Sequence, residues 1–252
     1  MKVVGIIPAR YASTRFPGKP LALIKGKPMI QCVCEQAWKS KLDAVVVATD
    51  DVRIADAVMA FGGQYVMTSP NHRSGTDRCR EALDLLDEKY DAVVNIQGDE
   101  PFIDPRQINL LIDLVLREDT MLASLAKKMD DEDELFNPNA VKVVMDREGK
   151  ALYFSRNPIP FMQNVDKDQW LGTGSYYKHI GAYAYKAQTL RQIAGLEPTS
   201  LEISESLEQL RWLENGLSIR MAVADSENVS IDTPSDLEKA ERYAQNQTFI
   251  EQ

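Results

Sequence analysis

The loop that follows the first apolar stretch of the chain contains three cationic side chains spaced by proline and glycine. Residues 3–7 have the β-branched composition of a short buried strand, and Arg10, Arg15 and Lys19 come after them. Arginine offers a planar fork of donors and lysine a point charge, and both suit phosphate oxygens. Gly18 lets the backbone approach a ligand closely because it has no side chain. These residues favour binding of a polyphosphate, and a solvated basic loop is the alternative.

The cationic loop lies in an acid-free segment at the start of an acidic protein. Residues 1–34 contain six basic residues and no aspartate or glutamate. The whole chain of 252 residues has 29 Lys and Arg against 38 Asp and Glu, which gives a formal net charge of −9. Positive charge concentrated in one segment indicates a local anionic ligand, and the acidic balance argues against nucleic-acid binding.

Two aspartates from distant parts of the chain have similar surroundings. Asp99 and Asp232 each come after an apolar stretch typical of a buried strand. Mg²⁺ prefers one or two carboxylates, with phosphate oxygens and water completing its coordination. Together with the cationic loop, the two aspartates predict a magnesium–phosphate site, although either one alone also suits a turn or a helix cap.

The first half of the chain alternates between strand and helix patterns, which predicts an α/β fold with a mostly parallel sheet. In such sheets ligands bind outside the carboxyl ends of the strands, and polar residues follow four of the predicted strands. Since no linker or repeat interrupts the chain, residues 1–252 are predicted to form one domain. The predicted strands are 3–7, 44–48, 65–67 and 91–96, and the predicted helices are 30–38, 54–61, 74–86 and 108–116.

The second half of the chain has a less regular pattern. Its apolar runs predict strands at 141–145, 151–154, 180–185, 217–224 and 229–232, a helix at 201–214 and a last helix that begins at Pro234. Residues 161–177 are predicted to form a long polar loop. His179 and Tyr183 alternate with apolar residues on one strand and are expected to share a face. With Arg156 and the helix around Gln209 they suit a sugar-hydroxyl site, or equally a structural histidine and a solvated or subunit-contacting helix.

The absence of several sequence motifs argues against some classes of protein. No P-loop pattern and no dinucleotide fingerprint follows the first strand, which argues against kinases and nicotinamide enzymes. Three cysteines without metal or redox spacing predict core or boundary residues in a reducing compartment. No apolar run reaches the ~18 residues of a membrane span, and the amino terminus has no signal-peptide pattern. We therefore expect a cytoplasmic protein without membrane insertion.

Nine segments spread over nearly the whole chain resemble the 3-deoxy-manno-octulosonate (Kdo) cytidylyltransferase family. The opening loop alone occurs widely in sugar nucleotidyltransferases, whereas the complete set is specific to this family. The segments are IIPARYASTRFPGKPL at 6–21, VATDD at 47–51, VMTSPNHRSGTDR at 66–78, VNIQGDEPFI at 94–103, NPNAVKVV at 137–144, LYFSRNPIPF at 152–161, KHIGAYAY at 178–185, ESLEQLRWLENG at 205–216 and IDTPSDLEKA at 231–240.

This resemblance implies a Rossmann-like nucleotide-diphospho-sugar transferase fold, with a mostly parallel central sheet, flanking helices and a smaller mixed sheet. It implies that CTP and Kdo react to CMP-Kdo and pyrophosphate for lipopolysaccharide biosynthesis, with Mg²⁺ as cofactor. The catalytic set that it implies is Arg10, Lys19, Asp99 and Asp232, with the two aspartates as metal ligands. The nucleotide-binding residues would be Arg10, Arg15, Lys19, Ser74, Gly75, Arg78 and Gln97, and the sugar-binding residues Arg156, His179, Tyr183 and Gln209.

The resemblance also implies a homodimer with residues 205–216 near its interface, and it assigns no contact to 164–177. Three alternatives remain open from the sequence. One is a cytidylyltransferase for a related acid sugar, such as 8-amino-Kdo or a sialic acid, which would share the triphosphate site. Another is a non-catalytic CTP-binding protein of the same fold. The third is a nicotinamide oxidoreductase.

Overall fold

The protein is described by a computed structural model for residues 1–12, 16–226 and 228–247, with side chains up to residue 242. The chain divides into two compact units, Met1–Ile112 with Asn228–Gln252, and Asp113–Glu227. The expectation of a single domain stays a prediction. Within the described ranges no helix has the length and apolar character needed to cross a membrane.

The first unit contains a parallel sheet with helices between its strands. Its elements are β1 (Val3–Ala9), β2 (Leu23–Ile24), β3 (Lys27–Pro28), α1 (Met29–Ala37), β4 (Ala44–Thr49), α2 (Val52–Ala60), β5 (Gln64–Met67), α3 (Gly75–Leu85), β6 (Ala92–Asn95) and α4 (Pro105–Val115). Strands β6, β1, β4 and β5 lie side by side in that order, and every neighbouring pair is parallel. The carboxyl ends of these four strands therefore meet at one edge, where the sequence places its polar loops.

Local signals set the starts of helices α2 and α3 and the end of α2. The Asp51 carboxylate accepts a hydrogen bond from the Arg53 backbone N–H at the start of α2, and the Ser74 hydroxyl accepts one from Asp77 at the start of α3. Gly62 follows α2 with a φ of +80°, which glycine adopts without steric cost. Residue type and position in the sequence indicate both signals, because serine is a common helix cap and glycine a common helix stop.

The second unit contains a mixed sheet and shorter helices. Its elements are β7 (Leu122–Lys128), α5 (Glu132–Phe136), β8 (Lys142–Met145), β9 (Ala151–Ser155), α6 (Trp170–Thr173), β10 (Tyr177–Lys186), α7 (Ala187–Ile193), α8 (Ser200–Glu205), α9 (Glu208–Glu214) and β11 (Ile219–Val223). β10 pairs antiparallel with β7 and β8, β9 pairs antiparallel with β8, and β11 pairs parallel with β7. The last helix, α10 (Pro234–Gln247), belongs to the first unit.

The single helix predicted at 201–214 is wrong, because the chain forms two helices there. Ser206 lies between α8 and α9 in the left-handed backbone conformation, with a φ of +52°. The Ser206 position breaks the helical hydrogen-bond pattern, while Leu207 and Leu210 remain buried as the apolar periodicity predicts. Apolar spacing does not reveal this break: no residue of α8 is buried, and the buried side chains Leu210 and Trp212 belong to α9.

The prediction of a long polar loop at 161–177 also requires correction. A 3₁₀ turn at Lys167–Gln169 and helix α6 lie within this segment. Trp170 and Tyr176 are buried and stack with a centroid distance of 6.2 Å, and they pack in one cluster with Leu135. The segment therefore contributes a small apolar core of its own.

The three cysteines occupy the core or its boundary, as their sequence context predicts. All three are free thiols; Cys34 and Cys79 are buried, and Cys32 is partly exposed. Burial raises the pKa of Cys34 to about 12 and also raises the pKa of Cys32, so little thiolate is present at neutral pH.

In a titration with a disulfide-exchange reagent at about pH 8, we expect no rapidly reacting thiol in the native protein and three reacting thiols after denaturation. A fast stoichiometric reaction before denaturation would contradict this expectation.

Candidate active site

Three of the predicted catalytic side chains meet at the carboxyl edge of the parallel sheet. The Lys19 Nζ atom lies 2.7 Å from Asp99 Oδ2 and 3.2 Å from Asp232 Oδ1. The lysine side chain is 14 % exposed and the aspartates 27 % and 37 %, so the cluster remains open to solvent. Residues from three distant parts of the sequence thus form one charged cluster.

One local turn and one long-range backbone hydrogen bond hold the three side chains in place. Gly18 has a φ of +73° and donates its backbone N–H to the Tyr11 carbonyl at 2.9 Å, which closes the loop just before Lys19. Asp99 follows strand β6, and its carbonyl accepts the backbone N–H of Ile231 at 2.9 Å. This bond brings the segment that carries Asp232 next to Asp99.

The strand predicted at 229–232 is wrong. Residues 228–232 have no strand structure, although Ile231 is fully buried. The apolar character of Ile231 is explained by its packing against Ile24 and Met29. The backbone hydrogen bond of Ile231 and its buried side chain help to fix the position of Asp232 without a strand ladder.

A cavity of about 250 Å³ opens beside the charged cluster. Arg10, which is exposed, makes no hydrogen bond or ion pair with any part of the chain that the structure describes. The cavity thus offers an available guanidinium together with an ammonium and two carboxylates. Its lining consists of Pro8, Ala9, Arg10, Lys19, Pro20, Gln97, Gly98, Asp99 and Asp232.

A second cavity, of about 130 Å³, shares the wall formed by Pro8, Ala9 and Arg10. Ser74 and Gly75, at the amino terminus of helix α3, also line it. The first N–H groups of a helix have no partners inside the helix, so this end favours an anion. The remaining lining residues are His72, Arg73 and Arg78.

Arg78, predicted to bind the nucleoside, is almost entirely buried beside this second cavity. Its Nη2 atom donates to Asp50 Oδ2 at 2.9 Å, and its Nη1 atom donates to the Thr68 hydroxyl at 2.6 Å. These bonds tie helix α3 to the ends of β4 and β5. Asp50, the half-buried partner, is one of two aspartates that follow the strand predicted at 44–48.

The other predicted nucleotide residues fall at different places. Gln97 lines the larger cavity with Asp99, whereas Ser74 and Gly75 line the smaller one. Arg15 lies outside the described residues. Gly98 has a structural reason to be glycine, because a Cβ atom there would lie 2.8 Å from the Pro8 carbonyl oxygen. The backbones of β1 and the β6 loop therefore approach each other at the cavity wall.

The donor set at Asp99 and Asp232 fits a magnesium ion that arrives with phosphate. In the described ranges no group of three or more histidine, cysteine, aspartate or glutamate side chains has a metal-binding arrangement. Two carboxylates around one cation position match the habit of Mg²⁺, which takes its other ligands from phosphate and water. In this structure the Lys19 ammonium group forms ion pairs with both carboxylates.

Asn228 joins the segment before Asp232 to the loop after Asp99. Its Nδ2 atom donates to Glu100 Oε2 at 2.8 Å and to Gln107 Oε1 at 2.9 Å, and both partners are buried. Asn228→Ala would remove one donor from each of these two buried side chains, and we expect it to lower the free energy of unfolding by about 1–3 kcal/mol. Urea unfolding would measure the change. The exposed Asn71→Ala is the control, and equal stability of the two variants would contradict the expectation.

In the second unit, two of the predicted sugar residues lie in contact. The rings of His179 and Tyr183, both on β10, have centroids 5.4 Å apart. Phe154 on β9 packs edge-on against His179 at 4.9 Å, and Trp212 on α9 packs edge-on against Tyr183 at 5.0 Å. Gln209 is buried on the same helix as Trp212. The expectation that His179 and Tyr183 share a face is confirmed.

Arg156, at the end of β9, is held by three backbone carbonyl groups. Its guanidinium donates to the carbonyls of Glu205 at 2.6 Å, Pro138 at 3.0 Å and Ser206 at 3.3 Å. The Glu205 carboxylate accepts from the Arg156 backbone N–H and from the Ser155 hydroxyl. Arg156 thus connects the break between α8 and α9 to β9, and two of its five guanidinium N–H groups make no hydrogen bond within the described part of the chain.

Burial changes the ionisation of the two ring residues. It lowers the pKa of His179 to about 3, so the imidazole is neutral at physiological pH. Burial, followed by the negative charge of Glu208, raises the pKa of Tyr183 well above its usual value. Both side chains are therefore neutral hydrogen-bonding groups, which suits contacts to hydroxyl groups.

Comparison with known proteins gives consistent results over nearly the full length of the chain. The cytidylyltransferase family profile matches residues 4–219. A 3-deoxy-manno-octulosonate cytidylyltransferase from Parabacteroides distasonis is 55% identical, covering 98% of this chain and 99% of that protein. One from Bacteroides thetaiotaomicron is 53% identical, covering 98% and 100%.

A solved structure of a CMP:2-keto-3-deoxy-manno-octonic acid synthetase complexed with CTP is similar in fold. It matches with a TM-score of 0.91 at 40% sequence identity, covering 98% of this chain and 100% of that one. The agreement confirms the predicted α/β fold class. The chain belongs to the 3-deoxy-manno-octulosonate cytidylyltransferase family.

Proposed function

We propose that this protein transfers CMP from CTP to the anomeric hydroxyl of Kdo and releases pyrophosphate. The observation that carries the proposal is the cluster of Lys19, Asp99 and Asp232 beside an open cavity with Arg10, in a chain 55% identical to an enzyme named for this reaction. The sugar hydroxyl would attack the α-phosphorus in line with the departing pyrophosphate. Such a reaction needs positioned charge rather than a covalent nucleophile.

Arg10 and Lys19 are the proposed triphosphate ligands, with Arg15 as a third. Their charges would stabilise the negative charge that develops on the leaving pyrophosphate. Lys19 would exchange its carboxylate partners for phosphate oxygens when the nucleotide binds. Ser74, Gly75, Arg78 and Gln97 are proposed to line the site of the base and ribose, supported by their positions around the two adjoining cavities.

Asp99 and Asp232 are the proposed ligands of Mg²⁺. Their approach to one cation position, and their exposure toward the larger cavity, support this assignment. When bound, Mg²⁺ would neutralise charge on the phosphate oxygens and lower the pKa of a nearby sugar hydroxyl. The two carboxylates would hold the reacting phosphate in place through that ion.

The acid sugar is proposed to bind the group of neutral and cationic side chains in the second unit. His179 and Tyr183 would accept and donate hydrogen bonds to sugar hydroxyl groups, with Gln209 as a further amide partner. The two uncommitted N–H groups of Arg156 would bind an anionic oxygen of the sugar. Support comes from the contact between the two rings and from the three carbonyls that fix Arg156.

Three broader properties belong to the same proposal. We propose that the protein acts in the cytoplasm, in lipopolysaccharide biosynthesis, and as a homodimer with residues 205–216 near the interface. Size-exclusion chromatography with light scattering would test the dimer directly. A mass equal to one chain at assay concentrations would remove that part of the proposal.

A coupled assay for pyrophosphate, with identification of the nucleotide product, tests the function. We expect CTP, Kdo and Mg²⁺ to give equal amounts of pyrophosphate and CMP-Kdo. Parallel reactions with 8-amino-Kdo and a sialic acid would reveal a different sugar preference, and a nicotinamide titration would test the oxidoreductase alternative. Binding of CTP without turnover of any of the sugars would overturn the proposed activity.

A further inference from the structure

Strand β10 contains a two-residue irregularity that brings His179 and Tyr183 together. Ile180 lies opposite Leu125 of β7, yet Tyr183 lies opposite the neighbouring Ser124. Gly181 and Ala182 are therefore extra residues without an opposite position on β7. The irregularity has a direct consequence for the two rings of the proposed sugar site.

A regular strand would keep these two rings apart. Residues four apart in an extended strand are separated by about 13 Å. Here His179 lies opposite Ala126 and Tyr183 opposite Ser124, which are only two residues apart on β7. The ring centroids are accordingly 5.4 Å apart on one face. The bulge thus creates the His179–Tyr183 pair.

Ser124 fills the space under the bulge. Its side chain is fully buried, and its Oγ atom lies 2.9 Å from His179 Nε2, 2.9 Å from the Ala182 carbonyl oxygen and 3.3 Å from the Ile180 carbonyl oxygen. The two carbonyl groups flank the extra residues of the bulge. One hydroxyl therefore contacts both the bulge backbone and the imidazole ring.

The hydrogen count at Ser124 decides the direction of these bonds. A hydroxyl group carries one hydrogen and can accept at its lone pairs, whereas a carbonyl oxygen can only accept. Donation from Oγ to the Ala182 carbonyl satisfies the bulge and leaves Oγ as an acceptor for an N–H group on His179 Nε2. If the Ser124 hydroxyl donated to Nε2 instead, neither the Ala182 carbonyl nor the Ile180 carbonyl would receive a hydrogen bond from it.

We propose that Ser124 is a positioning residue that fixes the bulge of β10 and holds His179 in its neutral Nε2–H tautomer, so that Nδ1 accepts a hydrogen bond from a hydroxyl of the acid sugar. The contact between Nδ1 and the sugar rests on the proposed function, whereas the tautomer follows from the contacts between Ser124, His179 and the bulge. Nδ1 makes no hydrogen bond within the described residues, and His179 as a whole residue is half-buried. Phe154 and Tyr183 pack against the ring and limit its rotation.

Nitrogen NMR of the imidazole tests the tautomer without any substrate. The chain has only two histidines, His72 and His179, so His72→Gln assigns the spectrum. We expect His179 to remain the neutral Nε2–H form from about pH 6 to about pH 8. In Ser124→Ala the same spectrum should show loss of that preference. A dominant Nδ1–H form in the unaltered protein, or an unchanged tautomer in Ser124→Ala, would overturn the proposal.

Kinetics test the link to the sugar. In Ser124→Ala the Nδ1 atom of His179 would no longer be held as an acceptor for the sugar hydroxyl. We therefore expect KM for Kdo to rise by about tenfold and KM for CTP to stay unchanged. The control Thr120→Val removes another buried hydroxyl of the same unit, and we expect it to change neither constant. If Ser124→Ala alters the tautomer but leaves KM for Kdo unchanged, the proposed contact between Nδ1 and the sugar is wrong. The positioning role of Ser124 would stand.

A second variant covers the case in which Ser124→Ala does not fold. Ser124→Cys keeps a side chain of similar size but weakens both hydrogen bonds. We expect it to fold, to shift the tautomer in the same direction and to raise KM for Kdo by a smaller factor. A protein that turns over no sugar would refute the proposed function, yet the NMR measurement would still decide whether Ser124 positions His179.

Discussion

Replacing Asp99 or Asp232 by alanine is expected to lower kcat/KM by on the order of 1,000-fold, which corresponds to about 4 kcal/mol of transition-state stabilisation. Each variant removes one of the two carboxylates that surround Lys19 Nζ and that we propose as metal ligands. With a single carboxylate left, the ion would hold the reacting phosphate less firmly. Initial rates of pyrophosphate release over a range of Mg²⁺ concentrations measure the effect.

The fold should survive either substitution, because both aspartates are partly exposed. The matched control is Asp56→Asn, which removes an exposed carboxylate from helix α2 of the same unit and should leave the rate unchanged. Thermal unfolding of all three variants separates loss of activity from loss of structure. Near-normal turnover of Asp99→Ala at saturating Mg²⁺ would show that the residue is not a metal ligand.

Replacing Lys19 by methionine is expected to have two opposite effects. The loss of a preorganised charge should lower kcat/KM by on the order of 100-fold to 1,000-fold. In the absence of CTP, however, the variant should bind Mn²⁺ about tenfold more tightly. The ammonium of Lys19 occupies the position between the two carboxylates that a cation would take, so its removal relieves the competition.

Electron paramagnetic resonance of free Mn²⁺ gives the affinity, and the pyrophosphate assay gives the rate. Lys27→Met is the control, because Lys27 forms an exposed ion pair with Glu35 at 2.8 Å outside the cluster. We expect that variant to match the unaltered protein in both measurements. Weaker Mn²⁺ binding in Lys19→Met would indicate that the lysine organises the carboxylates rather than competing for them.

Local sequence patterns predicted the elements of the first unit well. Strand β1 and helix α1 follow directly from runs of apolar residues with periods that suit a buried strand and an amphipathic helix. The cap at Ser74 was predictable because a serine side chain satisfies a helix N–H that has no other partner. These features depend on residues within a few positions of one another.

The second unit was harder to predict because its structure depends on contacts between distant residues. Strand β7 and helix α7 gave no clear periodic signal, and the break at Ser206 is a backbone conformation that an apolar stripe does not reveal. Trp170 lies in a segment of mostly polar composition. Its indole N–H nevertheless donates to the Val165 carbonyl, and its rings pack in a buried apolar cluster. Tertiary packing overrode local composition in each case.

The sequence by itself determined the chemistry of this protein: a cationic loop, two aspartates and a family pattern that covers nearly the whole chain. Those features depend on residue type and spacing, which the chain carries directly. Only the tertiary structure decided that Lys19 lies between Asp99 and Asp232, and that Arg78 is bound by Asp50. The contact of Ser124 with His179 likewise depends on the register of two strands. Such pairings join residues far apart in the chain, and no local pattern specifies which distant partner a side chain meets.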